Sequence, residues 1–425
     1  MKKYEKFFYL EKKRQQETLS FIAAENILSK KIRQFDSSII GNKTTEGISR
    51  HRYHGGSNII DRIELECIES AKNLFNARFA NVQAHSCTQA NQAVIFSVLN
   101  PGDKILSMSL KSGGHITHGN PSIIGQLFNV ESYNVNLNTE LLDFESIRNI
   151  AIKFKPKLII CGASSYPRKI DFKKFREIAD DVGAYLLADI AHIAGLVASN
   201  HHISPINHAH FTTLSTYKTL RGPRGGLILM GNDFDKISKK FPKKTLSKAV
   251  NYQICPGLQS AIHSDHIFEK LVCFELCNTK KFNNYQKQII SNANQLSIEF
   301  NNMNYSLFTK GTDNHMIILD FKDNDMTGYI AEKALEECNI IVNRNVVPFD
   351  TRKPQITSGL RIGVPSVTSR GIKEKEIKLV CKLIDEILSN INVINDKEYE
   401  LNQKIKKSVL LEIKKLTTNF PIDEI

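Results

Sequence analysis

Between residues 79 and 230, short apolar runs alternate with amphipathic stretches, and this alternation constrains the fold more than any other feature. FANVQAH, KILSM, LFNVESYNV, KLIICGAS, AYLLADIA, FTTLST and GGLILMG each have the length of a strand. Several are apolar throughout rather than at every second residue, as strands are when both faces of a sheet are covered. Between them, FKKFREIADDV places Phe172, Phe175, Ile178, Ala179 and Val182 on one helical face. Strands alternating with helices predict an α/β fold with a mainly parallel central sheet covered by helices.

The flanks differ. Residues 1–45 are polar and helical in pattern and read as an N-terminal helical arm, leaving 46–265 as a large α/β domain. From 266 to 425 long helical stretches (HIFEKLVCFEL, NNYQKQIISNANQLSIEF) mix with a few strands (MIILDF, LRIGV), which predicts a smaller C-terminal α+β domain. A length of 425 residues fits two domains and an arm. No apolar run approaches the roughly 18 residues that a membrane span needs. The start, MKKYEKFFYLEKKRQQ, lacks the apolar core of a secretory signal, so we expect a cytoplasmic protein with no membrane partner.

Eight scattered cysteines without a C-x-x-C pair suit reduced thiols. Cys273 and Cys277 share a helical face, which favours packing over metal binding. The net charge is +13, yet the lysines are spread out and do not interleave with aromatics as a stacking platform would. The chain is also rich in Lys, Asn and Ile and has no Trp. We therefore read the basic balance as compositional drift rather than as nucleic-acid binding.

In open α/β sheets, ligands sit beyond the carboxyl ends of the strands. There lie HSCTQAN, SLKSGGHITHG, ASSYPR, DIAH and TYKTLRG. Asp189 ends an apolar strand, where a carboxylate is costly unless paired. It reads either as a structural ion pair or as the partner of a pyridinium nitrogen. Lys218, alone, reads as a surface charge or as a reactive amine. An aspartate at one strand end and a lysine at another, with Ser and Thr at further strand ends, is what pyridoxal 5'-phosphate (PLP) chemistry needs. HSCTQAN opens a helix over 89–99 and reads as a phosphate site or as an ordinary N-cap. His115 and His118 could be metal ligands, but no third ligand is suitably spaced. An imidazole after a glycine pair could instead stack on a planar cofactor.

Taken together these stretches resemble the serine hydroxymethyltransferase family, of the fold type I PLP-dependent transferases. The similarity runs from about Phe21 to Thr368. It is carried by FIAAEN, NKTTEG with HRYHGG, FANVQAHSCTQAN, SGGHITHG, KPKLIICGASSYPRKIDF, FREIADDVGAYLLADIAHIAGLVA, TYKTLRGPRGGLIL, PGLQ, GTDNH, NRNVVPFD and TSGLRIGVP. The resemblance implies transfer of the hydroxymethyl carbon of serine to tetrahydrofolate, leaving glycine. It implies PLP as cofactor, tetrahydrofolate as co-substrate, and a homodimer or tetramer with shared sites.

By position, Lys218 matches the Schiff-base lysine, Asp189 the partner of the pyridine nitrogen, His192 a partner of the ring substituents, and His115 the stacked imidazole. Ser86, Cys87, Thr88 and Ser164 fall in phosphate or ring-oxygen positions. Arg361 matches the arginine that grips the substrate carboxylate, and Arg52 of HRYHGG falls with the substrate-binding residues. Glu46 matches the glutamate that handles the proton at the serine hydroxyl. Leu110, Gly114, Ile116 and Asn345 fall at folate-pocket positions. Tyr217 and His54 stand where the family has a histidine and a tyrosine beside the cofactor linkage.

The resemblance is incomplete near the site. Ala24, Thr44, His54, Cys87, Thr88, Tyr217, Ser260 and Ala261 all replace family residues, and so do Lys353 and Gln355 near the folate tail. A basic stretch over 237–246 looks like an insertion. Two other outcomes follow from these changes: a folate-independent aldolase of 3-hydroxy amino acids, or a non-catalytic relative.

Overall fold

The computed structural model describes residues 2–422. They divide into two compact units, one of 28–136 with 141–286, the other of 2–27 with 137–140 and 287–422.

In the first unit all seven apolar runs become strands of one sheet. They are β1 (Phe79–Asn81), β2 (Lys104–Met108), β3 (Asn129–Tyr133), β4 (Leu158–Cys161), β5 (Tyr185–Asp189), β6 (Phe211–Ser215) and β7 (Gly226–Met230), in the order β1-β7-β6-β5-β4-β2-β3. Strands β2 to β6 pair in parallel, while β7 runs antiparallel to β6 and to β1. The sheet is mixed and mostly parallel. The reversal at β7 has a local cause. The stretch 216–225 between β6 and β7 holds no helix, and a parallel return would need a crossover. Every residue of β4, β5, β6 and β7 is buried, which accounts for their unbroken apolar character.

The helix α1 (Cys87–Val98) begins two residues before the expected start at Gln89. Ser86 is its N-cap and accepts from the Gln89 amide at 3.2 Å, so Cys87 and Thr88 fall in the first turn. Its buried face, with Ala90, Val94 and Ile95, packs into one core with Ile105, Leu158, Leu187, Phe211 and Ile228 of the sheet. Each of the Val, Leu, Ile and Phe side chains contributes about 1.5–3 kcal/mol on burial. The far end of α1 is held by the basic stretch. Lys240 Nζ donates to Leu99 O at 2.5 Å and to Phe96 O at 2.9 Å, where helix carbonyls lack partners.

The helix α2 (Phe172–Asp181) buries Phe172, Phe175, Ile178 and Ala179, as its periodicity predicts, with Val182 as its C-cap. Asp171 caps it by accepting from the Lys174 amide at 3.1 Å. The helix α3 (Ser264–Cys277) also lies in this unit. Its Cys273 and Cys277 sulfurs are 3.9 Å apart and buried, and each points to Leu220 O.

The second unit holds a three-stranded antiparallel sheet of β8 (Met316–Asp320), β9 (Asn343–Asn345) and β10 (Gly359–Gly363), in the order β8-β10-β9. The helix α4 (Glu374–Leu388) buries Ile377, Val380, Cys381, Ile384 and Ile387. A helix over Lys3–Glu17 leads to Leu19–Ser20, which pairs in parallel with Ile340–Ile341. All eight cysteines are buried and free. Among the described residues no helix is long and apolar enough to cross a membrane.

Candidate active site

The carboxyl ends of the parallel strands converge on one pocket. Its lining comes from the start of α1 (Ser86, Cys87, Thr88, Asn91), the loop after β2 (His115, His118), the loop after β4 (Ala163, Ser164), the end of β5 (Asp189, Ala191, His192) and the end of β6 (Ser215, Tyr217, Lys218). Its cavity volume is about 70 Å³, within a region of about 450 Å³ that is partly open to solvent.

Asp189 is buried and accepts four contacts. Oδ1 accepts from the Ala191 amide at 2.9 Å and faces the Cys87 sulfur at 3.6 Å. Oδ2 accepts from Asn91 Nδ2 at 2.8 Å and from His118 Nε2 at 2.9 Å. Burial by itself would raise this carboxyl. The hydrogen bond and charge of His118, then the charge of His115 and the Asn91 amide, outweigh burial and hold the group well below the usual carboxylate range. Asp189 is therefore an ionised, acceptor-only group at neutral pH.

Lys218 is 6% exposed and lines the same pocket. A second buried lysine provides a contrast. Lys270 of α3 is 2% exposed, and its ammonium donates to Val82 O at 2.7 Å, Gly226 O at 3.0 Å and Ala84 O at 3.2 Å. Burial pushes it down to about 8. Its donors tie the segment leading into α1, so its work is structural, and it does not line the pocket.

Two glycine features allow the strand-end loops to close. Gly113 has φ +107°, and a Cβ there would lie 2.7 Å from Ser165 O. Its own carbonyl accepts from the Ser164 amide at 2.8 Å, joining the loop that carries His115 to the one that carries Ser164. Gly226 lets β7 pass against Ser86 O, where a Cβ would collide.

Tyr217 stacks its ring under the Arg224 guanidinium at 4.5 Å, and the Lys218 ammonium lies 6.0 Å from the ring centre. The Cys87 thiol, in the first turn of α1, is directed at Asp189, and burial pushes it well above the ordinary thiol value.

The structure thus brings Lys218, Asp189, His115, His192, Tyr217, Ser86, Cys87, Thr88 and Ser164 around one pocket. Glu46, Arg52, His54, Leu110, Gly114 and Ile116 belong to the same unit but are not among its lining residues. Leu110 and Ile116 are exposed apolar side chains flanking the His115 loop. Glu46 is half-buried and bridges through its backbone to Ala261. His54 is exposed, and its carbonyl accepts from Ser57 Oγ at 3.0 Å. Arg52 is held inside the fold. It pairs with Asp61 at 2.7 Å, with Glu64 and with Gly47 O, and its side chain is 4% exposed. Gln83 completes this cluster by donating to Glu64 Oε1 at 2.9 Å. Arg361 and Asn345 lie on the sheet of the other unit, where Arg361 Nε donates to Asn343 Oδ1 at 3.1 Å.

A family model described as serine hydroxymethyltransferase matches residues 3–384. The chain belongs to the serine hydroxymethyltransferase family. Proteins named serine hydroxymethyltransferase from Rickettsia typhi and Rickettsia prowazekii are each 46% identical to it over 412 residues, covering 97% of this chain and 94% of theirs. One named probable serine hydroxymethyltransferase, from Rickettsia bellii, matches to the same extent. The fold type I PLP-dependent architecture expected from the sequence is the architecture of this family.

The pocket's donor set fits PLP. It offers an ionised carboxylate for a protonated ring nitrogen, a buried amine, hydroxyls at Ser86 and Thr88 on a helix start, and flat imidazoles. Among the described residues no group of three or more His, Cys, Asp or Glu is arranged to hold a metal ion.

Sequence pattern alone does not single out Asn91, Thr117 or Lys270, and it offers His118 only as a metal ligand. Asn91 stood in view inside HSCTQAN. A buried amide on the pocket side of α1, opposite an expected carboxylate, was the available signal. Lys270 gave none, since a single lysine in an amphipathic helix has no distinguishing pattern.

Proposed function

We propose that the chain transfers the hydroxymethyl carbon of serine to tetrahydrofolate in a PLP-dependent reaction, giving glycine and 5,10-methylenetetrahydrofolate. The observation that carries this reading is the pairing, in one pocket, of the ionised Asp189 with the buried amine of Lys218. When bound, PLP supplies the electron sink for the bond cleaved at the serine α-carbon.

The chain's own residues do the rest. Lys218 holds the cofactor by its amine. Asp189, kept ionised by His118 and Asn91, keeps a ring nitrogen protonated. Ser86 and Thr88, with the N–H groups of the first turn of α1, take the phosphate. His115 would cover the ring, and His192 and Ser164 would serve its polar substituents. The Cys87 thiol, drawn to Asp189, replaces part of a phosphate turn by a contact to the carboxylate. Glu46 handles the proton at the serine hydroxyl. Arg361 holds the substrate carboxylate. Burial pushes its guanidinium down to about 10, so it stays cationic at neutral pH. Leu110, Gly114, Ile116 and Asn345 serve the folate. Arg52 acts by holding the segment after Glu46 rather than by touching substrate.

We propose a cytoplasmic homodimer or tetramer, with an arm (1–45), a large PLP-binding domain (46–265) and a small domain (266–425). Exposed apolar residues near the end of the arm and just beyond it, Ile39 at 82% and Tyr53 at 67%, support burial against a second copy.

The test is cleavage of serine by the PLP-loaded protein with and without tetrahydrofolate. Glycine formation that depends on tetrahydrofolate is expected. Cleavage of allo-threonine that ignores folate, with no folate-dependent turnover of serine, would overturn the reading.

A further inference from the structure

We infer that Asn91 is a positioning residue that fixes the Asp189 carboxylate directly and, through Thr117, fixes the tautomer of His115. The donor and acceptor roles around Asn91 can be assigned one by one. Asp189 is ionised and only accepts, so the Asn91 atom 2.8 Å from its Oδ2 is the amide nitrogen. The reversed amide would set two acceptors against each other. Asn91 Oδ1 then faces β6, where Thr213 Oγ1 donates to it at 2.6 Å. The second amide hydrogen goes to Thr117 Oγ1 at 3.0 Å.

The Thr117 hydroxyl lies 2.7 Å from His115 Nδ1 and, with a lone pair already used by Asn91, has its proton to give where Nδ1 is an acceptor. The Thr117 backbone amide also points to Nδ1, at 3.2 Å. Two donors converge on Nδ1, so that atom is the lone-pair side of the ring and the ring proton sits on Nε2.

The chain of roles runs from Thr213 through Asn91 and Thr117 to His115, with a branch to Asp189. Its intermediate members are sealed: Asn91 is 1% exposed, Thr213 0% and Thr117 3%. Water does not replace a missing partner easily at such sites. One buried amide thus sets both the acceptor that holds the carboxylate end of the pocket and the hydrogen that His115 carries on Nε2. The consequence for PLP rests on the function proposed above. The tautomer is a property of the chain alone.

The full-length protein labelled with 15N-histidine, without added PLP, tests this by imidazole 15N NMR, with His115 identified by the signal lost in His115→Asn. The wild type is expected to show a protonated Nε2 and an unprotonated Nδ1. Thr117→Val should shift the tautomer ratio toward Nδ1–H by on the order of fivefold, the size of one lost hydrogen bond. Thr117→Ser should restore it, and Asn91→Leu should shift it in the same direction. A proton found on Nδ1 in the wild type overturns the inference, as does a ratio unchanged in Thr117→Val or in Asn91→Leu. If Asn91→Leu does not fold, Asn91→Asp, which lacks the amide hydrogens, is expected to give the same shift, and an unchanged ratio there overturns the inference equally. Because PLP is not used, a failed tautomer leaves the cofactor reading standing, and a failure to bind PLP leaves the tautomer standing.

Discussion

His118 Nε2 lies 2.9 Å from Asp189 Oδ2, with the side chains 1% and 6% exposed. A carboxylate buried at a strand end would ordinarily be driven neutral. Here the imidazole and the Asn91 amide reverse that tendency, so Asp189 is charged at the floor of the pocket.

This has a consequence for acid stability. The folded-state value of Asp189 is depressed below its ordinary 3.8. Its contribution is therefore fully present above that ordinary value and is lost as pH falls below it, through the lower folded value. Thermal melts from pH 5 to pH 2 should show a steeper loss for wild type than for Asp189→Asn. Parallel curves would count against an ionised Asp189.

His118→Ala removes a donor and leaves a buried carboxylate less satisfied. We expect a loss of about 1–3 kcal/mol in urea unfolding. The PLP dissociation constant should rise as well, because the carboxylate loses the partner that keeps it charged.

Lys270 satisfies three backbone carbonyls next to the start of α1. Lys270→Met keeps the apolar stem and removes one donor from each carbonyl, with Ala84 O keeping the Gly226 amide at 2.9 Å, so it should cost about 1–3 kcal/mol in chemical denaturation. A neutral effect would show that water reaches the site.

Arg224 lies over the Tyr217 ring. Tyr217→Ala should lower stability by about 0.5–2 kcal/mol, whereas Tyr217→Phe keeps the ring and the stability. Equal losses in both would assign the stabilisation to the hydroxyl instead.

Much of this was legible in the sequence because burial on both sheet faces writes itself as unbroken apolar runs. LIIC, YLLAD and GLILM become β4, β5 and β7 for that reason. The strand-end residues Asp189 and Lys218 were legible because polar groups stand out at the ends of such runs. The direction of β7 was not, since it depends on the loop before it. The start of α1 was placed late because Ser86 and Thr88 are both acceptable caps, and only the chain path selects between them. The Asn91 network was hidden because its members come from α1, β5, β6 and the loop after β2, which no local pattern brings together. The pairing of Arg52 was hidden as well: its partners Asp61 and Glu64 lie in the following helix, Asn58–Phe75, and no local pattern marks them.

The most direct measurement is the site of covalent PLP attachment. PLP is added to the purified full-length protein, the linkage is reduced with borohydride, and the modified lysine is located by peptide mass spectrometry. The account predicts visible absorbance on adding PLP and the label on Lys218, with both lost in Lys218→Ala. A label on Lys270 or on a surface lysine, or no absorbance in the wild type, would contradict it.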